Sequence, residues 1–140
     1  MRILAIDYGD AHTGVAISDP TGLLAGFTTT ITAYRPEVVA EQIAALVQEH
    51  GVEELVLGHP RNMDGTRGPR AEKAESLAEL LRTSTGLPVT LWDERRTTID
   101  AHQILFSAGK NARQRKKSVD AVAASLILEG YLTYKKSQSR

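Results

Sequence analysis

Residues 2–18, RILAIDYGDAHTGVAIS, decide the fold. Residues 2–7 are an apolar run that ends in a carboxylate, the pattern of a short buried strand. Gly9 and Asp10 mark a turn, and residues 14–18 (GVAIS) predict a second strand. Asp19-Pro20-Thr21-Gly22 is the next turn signal. Residues 23–32 (LLAGFTTTIT), Thr-rich and carrying Phe27, suit a third strand. The opening is a three-stranded antiparallel meander.

Beyond it the period changes. Pro36 stands at a helix start; Val39, Ile43, Leu46 and Val47 recur at helical spacing, and Gly51 ends the helix. Residues 54–58 (ELVLG) predict a fourth strand, and 59–69 (HPRNMDGTRGP) a loop. Ala74, Leu77, Ala78 and Leu81 stripe a helix over 70–84, which Gly86-Leu87-Pro88 breaks before a fifth strand at 89–93. A helix from Thr97 or Thr98 to about Ala108 follows, then a basic loop over 110–117 (KNARQRKK). Ser118 caps a last helix, striped by Val119, Val122, Ala123, Leu126 and Ile127, that runs to about Tyr134; residues 135–140 form a frayed tail. The order βββαβαβαα carries helical crossovers, so strands 1, 4 and 5 are parallel. A five-stranded mixed α/β sheet flanked by helices follows, in one domain over 1–140.

In open α/β sheets, ligands bind outside the carboxyl ends of the strands. Asp7 closes the first strand, while Asp93 and Glu94 stand at the end of the fifth. Pattern does not separate those two, and a solvated salt-bridge cluster with Arg95 and Arg96 is the plain alternative for Glu94. Asp120 lies in the first turn of the last helix, where an acid also serves the helix dipole. Its neighbours Ala123 and Ala124 leave that face small, so the helix can approach the sheet and bring Asp120 to the other acids. Carboxylates converging there repel unless protonated or bridged by metal. Oxygen ligands without Cys or His point to Mg²⁺ or Mn²⁺ rather than zinc.

The chain has no Cys, and its four His (12, 50, 59, 102) lack ligand spacing. Formal charge is zero, yet residues 95–140 hold 10 Lys/Arg against 3 Asp/Glu, and residues 1–94 hold 7 against 14. That asymmetry suggests a nucleic-acid face near the C-terminus, with a solvated basic tail as the alternative. No leader-like or membrane-spanning run is read, so a cytoplasmic protein without membrane association is expected.

Five segments occur in order: AIDYG (5–9), GVAISD (14–19), NMDGT (62–66), DERRTT (93–98) and VDAVAA (119–124). Together they resemble the YqgF family, Holliday-junction-resolvase-like nucleases implicated in maturation of pre-16S rRNA, over about residues 2–132. The resemblance implies an RNase H-like fold, a bacterial cytoplasmic setting and a metal-binding catalytic trio at Asp7, Glu94 and Asp120. Three positions depart from the family pattern. His12 replaces a usual Arg, which makes a phosphate contact there weaker and pH-dependent. His59 stands where an aliphatic residue is common and His102 where a carboxylate is common; both read as surface or packing variants.

The expected chemistry is phosphodiester hydrolysis with Mg²⁺ or Mn²⁺ held by the trio. Lys110, Arg113, Arg115, Lys116, Lys117 and Arg95 are expected to bind phosphate backbone, with Asn62 and Thr66 as hydrogen-bonding groups of the 61–68 loop. The substrate is structured RNA or branched DNA. The protein acts as a monomer or a homodimer, since paired cuts at a four-way junction call for two-fold symmetry. Two rivals stand beside this reading. Asp7-Tyr8-Gly9 with Thr13-Gly14-Val15 resembles the phosphate hairpin of actin-like and sugar-kinase ATPases, which need a second comparable domain. A non-catalytic RNA- or protein-binding module would leave the acids structural.

Overall fold

A computed structural model describes residues 2–19, 25–60, 68–93 and 112–138, with side chains of the last stretch described from Val122 to Lys136. The meander forms as read: β1 (Ile3–Asp7), β2 (His12–Ser18) and β3 (Ala25–Thr32) pair antiparallel. Helix α1 (Pro36–His50) leads to β4 (Glu54–His59), and α2 (Pro69–Thr85) leads to β5 (Val89–Asp93). The last helix, α3, spans Ala112–Gln138. Sheet order is β3-β2-β1-β4-β5, with β1, β4 and β5 parallel.

Both crossover helices use the same local devices. Each begins with Pro in its first turn, where the missing N–H costs nothing. Each ends on a left-handed glycine, Gly51 at φ 66° and Gly86 at φ 70°, a conformation a Cβ would strain.

Strand alternation sorts the side chains into two layers. Leu4, Ile6, Val15, Ile17, Leu55 and Leu57 pack against Val39, Ile43, Leu77 and Leu81 of α1 and α2. Ile3, Ala5, Ala16 and Val56 pack against Ala124, Ile127, Leu128 and Tyr131 of α3. One sheet is thus covered by two helices on one face and one on the other, so its central strands are buried throughout.

Three expectations for the C-terminal third change. The basic run is not a loop from Ala112 onward: Arg113, Arg115, Lys116 and Lys117 belong to α3. Arg, Gln and Lys are good helix formers, and no Gly or Pro stands between Ala112 and Glu129, so nothing stops the helix before Ser118. The buried stripe is Ala123, Ala124, Ile127, Leu128 and Tyr131, while Val122 and Leu126 are half-buried. Residues 135–138 are helical instead of frayed, because Lys135 reaches back to the sheet. The expected helix over 97–108 lies outside the described residues. No helix among the described residues is long and apolar enough to cross a membrane.

At the amino end of β4, buried Glu54 accepts hydrogen bonds from the Tyr131 hydroxyl and from Lys135 Nζ. Burial pushes the Tyr131 phenol above its usual value, and its bond to Glu54 adds to this; the bond to Glu54 raises Lys135 as well. Both groups hold their protons more tightly when folded, so their stabilisation is complete below the unfolded values near 10.0 and 10.5 and is lost as pH climbs through the folded ones. Thermal unfolding followed by circular dichroism should therefore show a steeper fall in midpoint above about pH 10 for wild type than for Tyr131→Phe/Lys135→Met.

Candidate active site

Asp7 is half-buried at the carboxyl end of β1. Alternation puts it on the face of Ile3 and Ala5, beneath α3. Its antiparallel partner on β2 is Gly14. On the other side Ile6 pairs with Leu57, so the next position of β4 is Gly58, which pairs in turn with Trp92 of β5. The row across the sheet is therefore Gly14, Asp7, Gly58, Trp92. The acid stands on a floor without side chains on either flanking strand, about 10 Å wide from Gly14 to Gly58. Glycine inside a strand marks a place where a ligand or a backbone comes close. The shared place of Gly14 and Gly58 beside Asp7 follows from strand register, which no local pattern carries.

The turn after Asp7 is tightly closed. A Cβ built on Gly9 would lie 2.4 Å from the His12 carbonyl oxygen, so only glycine fits without moving backbone. Ala33 N–H donates to the Ala11 carbonyl at 3.0 Å, which ties the end of β3 to this turn. Lys73 of α2 sits 3.5 Å from Asp10, but both are well exposed and such a pair adds little stability. Burial, with Asp10 and Glu37 nearby, pushes the Tyr8 phenol up, so Tyr8 stays neutral at this edge.

The histidines divide. His59 is buried on the opposite face, its Nε2 2.7 Å from Glu75 Oε2 of α2, which bears out a packing role. His12 shares the face of Gly14, and its Nδ1 lies 3.4 Å from Thr32 Oγ1. Asp93 is the cross-strand partner of His59 and falls on the α1–α2 side. This removes Asp93 from the face of Asp7, which the sequence left open.

Of the expected trio, Asp7 is placed with its side chain. Asp120 lies in α3, four residues before buried Ala124, with its side chain beyond those described. The side chains of Arg113, Arg115, Lys116 and Lys117 are likewise beyond them. Glu94, Arg95, Lys110, Asn62, Thr66 and His102 lie outside the described residues. Among the described residues no three His, Cys, Asp or Glu side chains gather as a metal site.

Thermus thermophilus RuvC in complex with a Holliday junction substrate superposes with a TM-score of 0.64, covering 98% of this chain and 96% of that one at 13% identity. The fold is therefore of the RNase H-like class. The model of the RuvX family, described as Holliday junction resolvase, matches residues 1–134, and the chain belongs to that family, the one resembled above as YqgF. The "putative pre-16S rRNA nuclease" of Halothermothrix orenii is 46% identical over 134 residues, covering 96% of each chain. Its namesake in Carboxydothermus hydrogenoformans is 44% identical over 135 residues, covering 96% of this chain and 98% of the other.

The closed turn makes a direct expectation. Gly9→Ala should lower unfolding free energy by about 1–3 kcal/mol in denaturant titration, because the hairpin backbone must shift to admit the methyl group.

Proposed function

We propose that this chain is a metal-dependent endonuclease that hydrolyses phosphodiester bonds, acting in 5′-end maturation of pre-16S rRNA in the cytoplasm. The observation that carries the reading is Asp7 on its glycine-flanked floor beneath α3, at the carboxyl edge of three parallel strands. Residues 1–140 act as one domain in this reading.

The other two acids of the trio, Glu94 and Asp120, rest on the family resemblance. Thr90 and Trp92 share the α3 face and Asp93 is turned the other way, so of the two adjacent acids the proposal rests on Glu94. Tyr131 is buried against the sheet at the level of Glu54, and Glu54 pairs with Ile3. Asp120 precedes Tyr131 by eleven residues of α3, about three helical turns and roughly 16 Å along the axis. Asp7 follows Ile3 by four strand residues, roughly 13 Å in the same direction. In this reading the two acids would meet at the carboxyl edge of the strands.

The donor set suits a hard cation. Asp7 offers carboxylate oxygens in a place with no competing side chain on Gly14 or Gly58, and the buried imidazole of His59 is committed to Glu75 on the other face. Asp7, Glu94 and Asp120 would hold Mg²⁺ or Mn²⁺, which when bound activates water and stabilises the leaving oxygen. Asp7 anchors the ligand set on the rigid centre of the sheet, and no side chain of this chain need act as nucleophile. Arg113, Lys116 and Lys117 lie in the turns of α3 before Asp120. With Arg115, Lys110 and Arg95 they would neutralise substrate phosphates, while Asn62 and Thr66 would add hydrogen bonds. His12 would contact phosphate most strongly when protonated.

A second reading, resolution of four-way DNA junctions, draws on the family description and on the junction bound by the RuvC neighbour. It calls for a two-fold dimer rather than a monomer. The ATPase reading lacks support from the family to which the chain belongs.

Purified variants assayed on precursor rRNA fragments and four-way junctions with Mg²⁺ or Mn²⁺ test the assignment. Asp7→Asn and Glu94→Gln should each cut the rate about a hundredfold or more, near 3 kcal/mol of transition-state stabilisation, while Asp93→Asn stays within a few-fold of wild type. Equal cleavage by Asp7→Asn and wild type would remove the site, and metal-indifferent binding without cleavage would favour a binding module. Arg113→Ala/Lys117→Ala should flatten the slope of log affinity against log salt by about 2, whatever the substrate sequence.

A further inference from the structure

The helix that carries Asp120 crosses a smooth surface. Beneath it lie Ala5, Ala16 and Val56, and from its own side come Ala123 and Ala124, with Ile127 and Leu128 a turn further on. Gly130 meets the Trp92 ring, whose Cζ2 would be 3.3 Å from a Cβ at that position. Small residues let helix and sheet approach closely, yet they interlock weakly along the helix axis. Apolar burial alone is non-directional and favours contact more than it favours one register.

A directional contact lies at one end. Both oxygens of buried Glu54 are taken by α3: Oε2 accepts from the Tyr131 hydroxyl and Oε1 from Lys135 Nζ. The Tyr131 hydroxyl also lies 3.3 Å from Thr90 Oγ1 of β5, and its ring meets Trp92 edge-on at 5.8 Å. Three elements far apart in sequence are joined by polar bonds whose partners change if the helix slides. A buried ion pair is a weak source of net stability; its best-attested use is the choice of register.

We propose that Glu54, with Tyr131 and Lys135, is a positioning group that sets the axial register of α3 and thereby the place of Asp120 relative to Asp7. This rests on Asp120 being a metal ligand, as proposed above. Glu54 touches neither substrate nor metal in this scheme. It acts from the amino end of β4, at the opposite end of the strands from the floor beside Asp7.

The test replaces the ionic contact by apolar side chains, Glu54→Leu/Lys135→Leu, a change that commonly leaves stability intact. The chain has no Cys, so Gln48→Cys and Glu129→Cys, both at exposed positions on α1 and α3, report the register through spin-label distances. Mn²⁺ binding by calorimetry reports the site without any need for cleavage. The expected result is a folded protein whose label distance broadens or moves by about 5 Å, one helical turn, and whose Mn²⁺ affinity falls about tenfold or more. A change in one readout without the other, or wild-type values in both, overturns the proposal. Asp120→Asn is the reference: if it binds Mn²⁺ as wild type does, the metal site itself fails, whatever the register. Should the leucine pair not fold, Glu54→Gln keeps the shape and a bond to Tyr131 while removing the charge, and the same two readouts decide.

Discussion

The close contact of α3 with the sheet is the constraint on which the rest depends. A mixed sheet with parallel strands at its centre needs cover on both faces. Here α1 and α2 supply one face from the crossovers, and one long helix supplies the other. Ala5, Ala16 and Ala124 keep that second layer thin. A thin layer brings the helix close to the central strands of the sheet.

That arrangement divides labour along the strands. At their amino ends the sheet is tied to α3 through Glu54, Tyr131 and Lys135, with hydroxyl, carboxylate and ammonium all paired. At their carboxyl ends bulk is withheld: Gly14 and Gly58 flank Asp7, and the larger groups His59 and Asp93 are turned to the other face. One end spends its polar groups on holding the layers together. The other leaves Asp7 half-buried between two glycines.

Much of this was legible from residues 2–18. A continuous apolar run closed by a carboxylate, and the glycine turn after it, are local signals, and they placed the first hairpin and Asp7 correctly. The crossover helices were equally clear, because Pro36 and Gly51 punctuate a strong apolar stripe. The start of α3 was misread because a run of like charges looks like a loop, although Arg and Lys are good helix formers. The choice between Asp93 and Glu94 was closed to pattern alone. The family resemblance favours Glu94, and the structure turns Asp93 to the face opposite Asp7, which follows from strand pairing.

The sequence by itself determined which elements form, their order, and the acid types available at the strand ends, since these depend on neighbours along the chain. Only the tertiary structure decided that Gly14 and Gly58 stand beside Asp7, that His59 is spent on Glu75, and that Glu54 reaches residues 77 and 81 positions away. Those relations are set by strand register and by how far a helix slides over a sheet. Both are fixed by contacts between distant segments, which no local spacing encodes.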